Sequence, residues 1–238
     1  MINFIITMAG KGERFLKEGY KIPKWKLSIN NRTLLERSIS SLPLNLCSNL
    51  IIIYYHEDEK FGIKQIVLSI TKNKVIFVKV KKRTKSQIET AMLAKPYLNP
   101  ADKILIFNID TYFTSKTLEE KLLTNPDGLL GCFISNNKNY SYAKIENNLV
   151  VKTAEKKVIS NFALSGLYYY KEFNYFSDSA NYIISKNIHV NNEYYIAPGY
   201  NYLIRKGKKI ITDIVKDINI IGVPRDYENY KKNPSIYI

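Results

Sequence analysis

The chain has 238 residues, 45% of them hydrophobic and 24% charged, the balance of a folded protein rather than a disordered one. That length gives one large domain or two small ones with a substantial core, and no apolar run approaches the roughly 18 residues that a bilayer span needs. The formal net charge is +15, yet lysine is spread along the chain without an arginine stripe, zinc spacing or helix-turn-helix pattern. The charge is therefore read as attraction for anionic small molecules, not for DNA or RNA.

Cys47 and Cys132 are far apart and in no metal or redox spacing, which predicts reduced structural thiols and a cytoplasmic setting. The N-terminus runs straight into an apolar stretch without a basic n-region, so no signal peptide is expected. Ile2–Met8 reads as a first strand. Residues 33–42 have the period of an amphipathic helix, with Thr33 or Asn31 as its cap. "NLIIIYY" (49–55) and "KVIFVKV" (74–80) are buried strands, and "SQIETAMLAKPYL" (86–98) is a helix ended near Pro100. "DKILIFNID" (102–110) is the clearest strand. Near-continuous apolar strands alternating with helices predict a parallel sheet covered on both faces.

The second half reads differently. "DGLLGCFIS", "SYAKIENNLVVKTAE" and "NFALSGLYYYK" look like strands, with a hairpin turning at Asn147-Asn148. Helices are expected at about 175–187 and 195–206, and "INIIGV" as a late strand. With no repeat and no linker, the chain is expected to be one α/β domain, residues 1–238, with a mixed sheet. The tail "YKKNPSIYI" is expected to leave no room for a further domain.

Ligands of open α/β sheets bind beyond the carboxyl ends of the strands. Two segments fall there. "MAGKGERFLKEGYKIPKWKL" (8–27) follows the first strand, and its Gly10 and Gly12 open backbone N–H groups to phosphate oxygens. Arg14 adds a forked donor and Lys24 a point charge. Asp110, ending "ILIFNID", is a hard oxygen ligand for Mg²⁺, which joins proteins through one or two carboxylates plus substrate phosphates. Alone, each has a plain alternative: a solvated turn on a lysine-rich chain, and a capping aspartate. In "TKSQIETAML", Glu89 is read as completing a capping box with Ser86, whereas Gln87 faces the same sheet edge, where an amide can read a base. His56 and His189 are read as structural or surface residues, and Trp25 as packed on its loop. The tyrosines at 168–170 are read as alternating strand with core on one side.

"MAGKGERF…PK", "SQIETA", "FNID" and "AEKKVISNFALSGLYYY", in this order, resemble the nucleotidyltransferase superfamily of sugar-1-phosphate nucleotidylyltransferases, of which glucose-1-phosphate thymidylyltransferases are well-understood members. The resemblance covers roughly residues 3–230. It implies a Rossmann-like single domain with a mixed, mostly parallel sheet flanked by helices, of the nucleotide-diphospho-sugar transferase type. It also implies that Ala9, Gly10, Gly12 and Gln87 hold a nucleoside triphosphate, and that Arg14, Lys24 and Asp110 are catalytic, with Asp110 carrying Mg²⁺. Glu155, Lys156, Gly166 and Glu193 would bind a small phosphorylated substrate: Glu155 the sugar hydroxyls, Lys156 the phosphate, with Gly166 letting the sugar approach. Asn201 belongs to the same stretch as Glu193. A place in surface (capsule) polysaccharide synthesis is a further implication; a homo-oligomer is possible, and the oligomeric state is left open.

Two departures from the family pattern stand out. Ile220 lies where many relatives carry a second metal-binding Asp, leaving Asp217 and Asp226 as the near candidates. Ala143 stands where the thymidylyltransferases place a glycine against the sugar. The rival readings are a glycosyltransferase of related fold, whose Asp-x-Asp is here Asn108-Ile109-Asp110, and a non-catalytic nucleotide-binding relative.

Overall fold

The computed structural model describes residues 1–232; the last six residues of the tail read above lie outside them. In chain order the strands are β1 (Ile2–Met8), β2 (Ser28–Ile29), β3 (Arg32–Thr33), β4 (Cys47–Tyr55), β5 (Lys74–Val80), β6 (Ile104–Asn108), β7 (Thr111–Thr114), β8 (Gly128–Ile134), β9 (Ser141–Glu146), β10 (Leu149–Glu155), β11 (Phe162–Tyr170), β12 (Ile210–Ile214) and β13 (Asp217–Ile220). The α-helices are α1 (Glu13–Lys17), α2 (Leu34–Ser40), α3 (Ile63–Ile70), α4 (Gln87–Met92), α5 (Leu118–Leu123), α6 (Phe173–Ser185), α7 (Tyr200–Arg205) and α8 (Pro224–Lys232).

Nine strands form one mixed sheet flanked by helices. Its centre, β5-β4-β1-β6, is all parallel. These strands read as unbroken apolar runs because both faces are covered: Phe4, Ile5 and Ile6 are each fully buried, with Phe4 and Ile6 in one core cluster and Ile5 in the other. Burying each such side chain stabilises the fold by about 1.5–3 kcal/mol. The chain runs from β1 outward to β4 and β5, then returns to place β6 on the other side of β1. The strand order therefore reverses at β1, and a crevice opens beyond the carboxyl ends of β1 and β6.

Beyond β6 the sheet turns mostly antiparallel, only β12 pairing in parallel, with β8. β11 pairs with β6 through Tyr168–Tyr170 but with β9 only at Ala163. The opposite edge of β11 carries β8, with a register shift between Leu164 and Tyr168. At the shift sits Gly166, with φ +87°, and there β6 and β9 part. That parting makes a second hollow next to the crevice.

Several elements differ from the sequence expectations, each for a local reason. The 86–98 helix stops at Met92 and gives way to a 3-10 turn at Lys95–Tyr97, because Pro96 cannot continue an α-helix. Ser86 does cap α4 by accepting the Glu89 N–H at 3.1 Å, but the Glu89 carboxylate accepts from the Lys85 N–H at 2.7 Å, so the capping box is half formed. Thr33 caps α2 in a full capping box with Glu36. The expected 195–206 helix is a 3-10 turn at Ala197–Gly199 followed by α7, Pro198 setting the tighter entry. α6 begins at Phe173. The helices α1, α3, α5 and α8 and the strands β2, β3, β7 and β12 are further elements beyond the sequence expectations. The late strand β13 pairs with β7 outside the main sheet. Tyr168, Tyr169 and Tyr170 are buried on both faces, not one, because helices cover that end too. Cys47 and Cys132 are free, buried thiols.

Candidate active site

The crevice beyond β1 and β6 is a cleft of about 1030 Å³. Gly10 and Gly12 line it, and where a Cβ would stand on either glycine there is open space within 4 Å. Gly12 needs its glycine, since it turns into α1 at φ +62°, ψ 27°. The walls carry six lysines and two arginines against five carboxylates: Lys11, Lys17, Lys21, Lys24, Lys60, Lys85, Arg14 and Arg83 face Glu13, Glu57, Asp58, Asp110 and Glu193. Such a cleft concentrates anions. Gln87, the first residue of α4, lines it and donates to Thr7 Oγ1 at 3.3 Å.

A second hollow of about 290 Å³ adjoins the cleft where β6 and β9 part, and Arg14, Gln87, Asn108, Asp110 and Glu193 line both. Its own walls include Tyr140, Ser141, Glu155, Lys156, Gly166 and Tyr195. Every residue expected at the site therefore lines one hollow or the other, except Ala9. Ala9 is fully buried in the core cluster of Ile5 and Ile88, and its carbonyl accepts the Thr84 N–H at 3.0 Å.

At the junction Lys24 Nζ donates to Asp110 Oδ2 at 2.7 Å and approaches the Gly222 carbonyl at 3.4 Å. Asp110 Oδ1 is buried without a hydrogen-bond partner, and so is Asn108 Oδ1, two residues earlier on the same strand end. Unpaired buried oxygens are costly, and hard oxygen donors at the wall of an anion-attracting cleft suit a hard divalent cation that completes its shell from substrate phosphates. Among the described residues no three His, Cys, Asp or Glu side chains converge on one point. Ile220 lines the second hollow. Asp217 pairs with Thr114 at the far end of the β13–β7 ladder. Asp226 Oδ2 accepts the Gly222 and Val223 N–H groups at 3.1 Å each, closing the start of α8.

The second hollow is polar and cross-linked. Lys156 sits at φ +49°, a left-handed conformation held by its N–H bond to the Tyr140 carbonyl at 3.1 Å, and such outliers gather at functional sites. Its Nζ donates to Tyr195 Oη at 2.6 Å, and Tyr195 donates to Glu193 Oε2 at 2.7 Å. Ser141 donates to Glu155 Oε2. Burial raises the Glu155 carboxyl to about 7, against the opposing pull of the Ser141 hydroxyl and Lys156 and with a further push from Glu193. Gly166 is constrained from a different side than expected: a Cβ there would fall 2.3 Å from Asn108 Nδ2. Ala143 is buried in the core and does not line the hollow. Asn201 is structural, exchanging two hydrogen bonds with the Thr153 backbone. Trp25 is 2% exposed, packed as expected, with its indole donating to Asp58.

Sequence reasoning missed Asp58, Arg83, Ser141 and Tyr195. Arg83 ends the run Lys81-Lys82-Arg83, which reads as a solvated charge cluster, and the other three carry no spacing signal.

No protein-family model matches the chain, and no curated protein matches it. Solved structures do. A nucleoside-diphosphate-sugar pyrophosphorylase from Vibrio cholerae RC9 is 28% identical, with a TM-score of 0.87 over 96% of this chain and 99% of its own. The inositol-1-phosphate CTP transferase of T. maritima is 16% identical, with a TM-score of 0.71 over 99% and 97%. A glucose-1-phosphate thymidylyltransferase from Bacillus anthracis, solved with sucrose, is 15% identical, with a TM-score of 0.77 over 98% and 94%. The latter two share the fold, and the first adds sequence likeness along nearly the whole length. These likenesses support the superfamily of sugar-1-phosphate nucleotidylyltransferases, which the sequence motifs resemble.

Proposed function

We propose that the protein joins a nucleoside triphosphate to a sugar 1-phosphate, or a similar small phosphorylated compound, giving a nucleotide-activated product and pyrophosphate. The carrying observation is the meeting of the two hollows at the Lys24–Asp110 pair, 2.7 Å apart, with Arg14 on the wall of both.

A phosphate oxygen of the acceptor attacks the α-phosphorus, the α–β bridge bond breaks, and its electron pair leaves with pyrophosphate. The attacking oxygen is already an anion, so no proton need be removed. What the chain must do is hold two polyanions in line against their repulsion and stabilise charge growing at the α-phosphate. Gly10, Gly12, Arg14 and Lys24 receive the triphosphate and Gln87 faces the base. Lys156 takes the acceptor phosphate, and Glu155 and Glu193 its hydroxyls. Asp110, with Asn108 beside it, would hold Mg²⁺, which supplies charge neutralisation on the phosphates when bound. An activated sugar is a donor for glycosyl transfer, the reaction that surface polysaccharide assembly consumes. The enzyme works in the cytoplasm, where triphosphates are abundant, and no described helix is long and apolar enough to cross a membrane.

Pyrophosphate release from a panel of triphosphates and phosphorylated acceptors tests the proposal. Release that needs both substrates supports it. Transfer of the sugar from a preformed nucleotide sugar to an acceptor in the absence of pyrophosphate, or binding without turnover, would sink it.

A further inference from the structure

Asp58, in the 3-10 turn after β4, is a carboxylate 2% exposed. It pairs with Arg83 Nη2 at 3.0 Å and accepts the Trp25 indole N–H at 3.3 Å. The same guanidinium donates from Nη1 to the Gly10 carbonyl at 2.9 Å and lies 4.2 Å from the Tyr55 ring centre. One buried carboxylate thus ties together three segments that wall the cleft: the glycine loop, the segment carrying Lys24, and the residues leading into α4 and Gln87.

The arrangement answers a physical need. Glycine leaves the loop free to take many conformations, and a loop that must present donors to phosphate loses affinity by the entropy of ordering them. Holding the Gly10 carbonyl fixes the plane of the Gly10–Lys11 peptide. A guanidinium is suited to this, because its rigid fork reaches carbonyl and carboxylate at once, whereas an ammonium is a single point of charge. Asp58 in turn leaves the fork no freedom to swing into the cleft.

We propose that Arg83, clamped by Asp58, is a positioning residue that presets the glycine loop for the triphosphate. The proposal rests on the nucleotide reading above. Isothermal titration with a non-hydrolysable triphosphate analogue, together with steady-state KM values for both substrates, tests it in the wild type, Arg83→Lys, Arg83→Gln and Asp58→Asn. Both Arg83 variants are expected to lose about tenfold in triphosphate affinity, the order of one charge-assisted hydrogen bond. Lysine should give no rescue, acceptor KM should stay within about twofold, and kcat at saturating triphosphate should be largely kept. Asp58→Asn, which leaves the guanidinium charge in place, should shift the same constant in the same direction. Far-ultraviolet circular dichroism and the cooperativity of thermal unfolding report whether each variant is folded, since Trp25 itself touches Asp58. Wild-type affinity in Arg83→Lys would mean that only charge matters and would overturn the proposal, as would equal losses for both substrates in folded protein. A wild type that binds no triphosphate at all would instead overturn the nucleotide reading itself, and this one with it.

Discussion

Lys24 Nζ and Asp110 Oδ2 stand 2.7 Å apart although 86 positions separate them in sequence. The pair is partly shielded, with side chains 15% and 26% exposed, and it lies where the two hollows meet. Neither belongs to a core cluster, and the proposed reaction gives both a role in catalysis. Lys24→Ala and Asp110→Asn should each lower kcat/KM by about 10²–10³-fold, the usual effect of removing one group that stabilises transition-state charge. Thermal unfolding should move only slightly. Near-full activity in either variant would remove that residue from the mechanism.

The parallel half of the fold was legible because burial on both faces writes itself as unbroken apolar runs, as in Ile104–Phe107. The glycine loop and Asp110 were legible because strand ends are where such sheets bind ligands. Other features were not. α8 is short of apolar residues and packs through Tyr227 and Tyr230, so periodicity gives little sign of it. β13 leaves the main sheet to pair with β7, a choice made by tertiary contacts alone. The Asp58–Arg83 clamp joins residues whose types suggest only solvated charge. Gly166 lines the second hollow, and nothing in the sequence signals that Asn108 also packs against it.

Gly166→Ala should destabilise the protein by about 1–3 kcal/mol, from the left-handed backbone and from the Cβ falling 2.3 Å from Asn108 Nδ2. Urea unfolding separates the two causes. Asn108→Ala alongside Gly166→Ala should recover the clash but leave the backbone cost. A double variant no more stable than Gly166→Ala alone would show that Asn108 is not the obstacle.

Glu155 gives the hollow a pH dependence. Burial raises its carboxyl from 4.5 to about 7 in the folded chain, so between those values the native state binds the proton that the unfolded chain releases. Stability contributed by this group is therefore full at low pH and declines as pH rises through that window. Glu155→Gln cannot ionise. The difference in melting temperature between variant and wild type should shift in the variant's favour from about pH 5 to pH 7.5 and then level off. A difference that stays flat across that range would mean the carboxyl titrates normally.

Ile220 offers a gain-of-function test of the cation site. It pairs with Thr111, the residue after Asp110, and lines the same hollow. An aspartate there would line the hollow that also holds Asp110 and Asn108, whose Oδ1 atoms are buried without partners. Affinity for hard cations rises with the number of charged oxygen ligands, so Ile220→Asp should tighten Mn²⁺ binding by about tenfold, read by electron paramagnetic resonance with the triphosphate analogue present. Asp110→Asn in the same background should reverse the gain. Circular dichroism controls for the loss of an apolar contact with the core. Unchanged Mn²⁺ affinity in folded Ile220→Asp would place the cation away from the β6 end, and Asp110 would then keep only its pairing with Lys24.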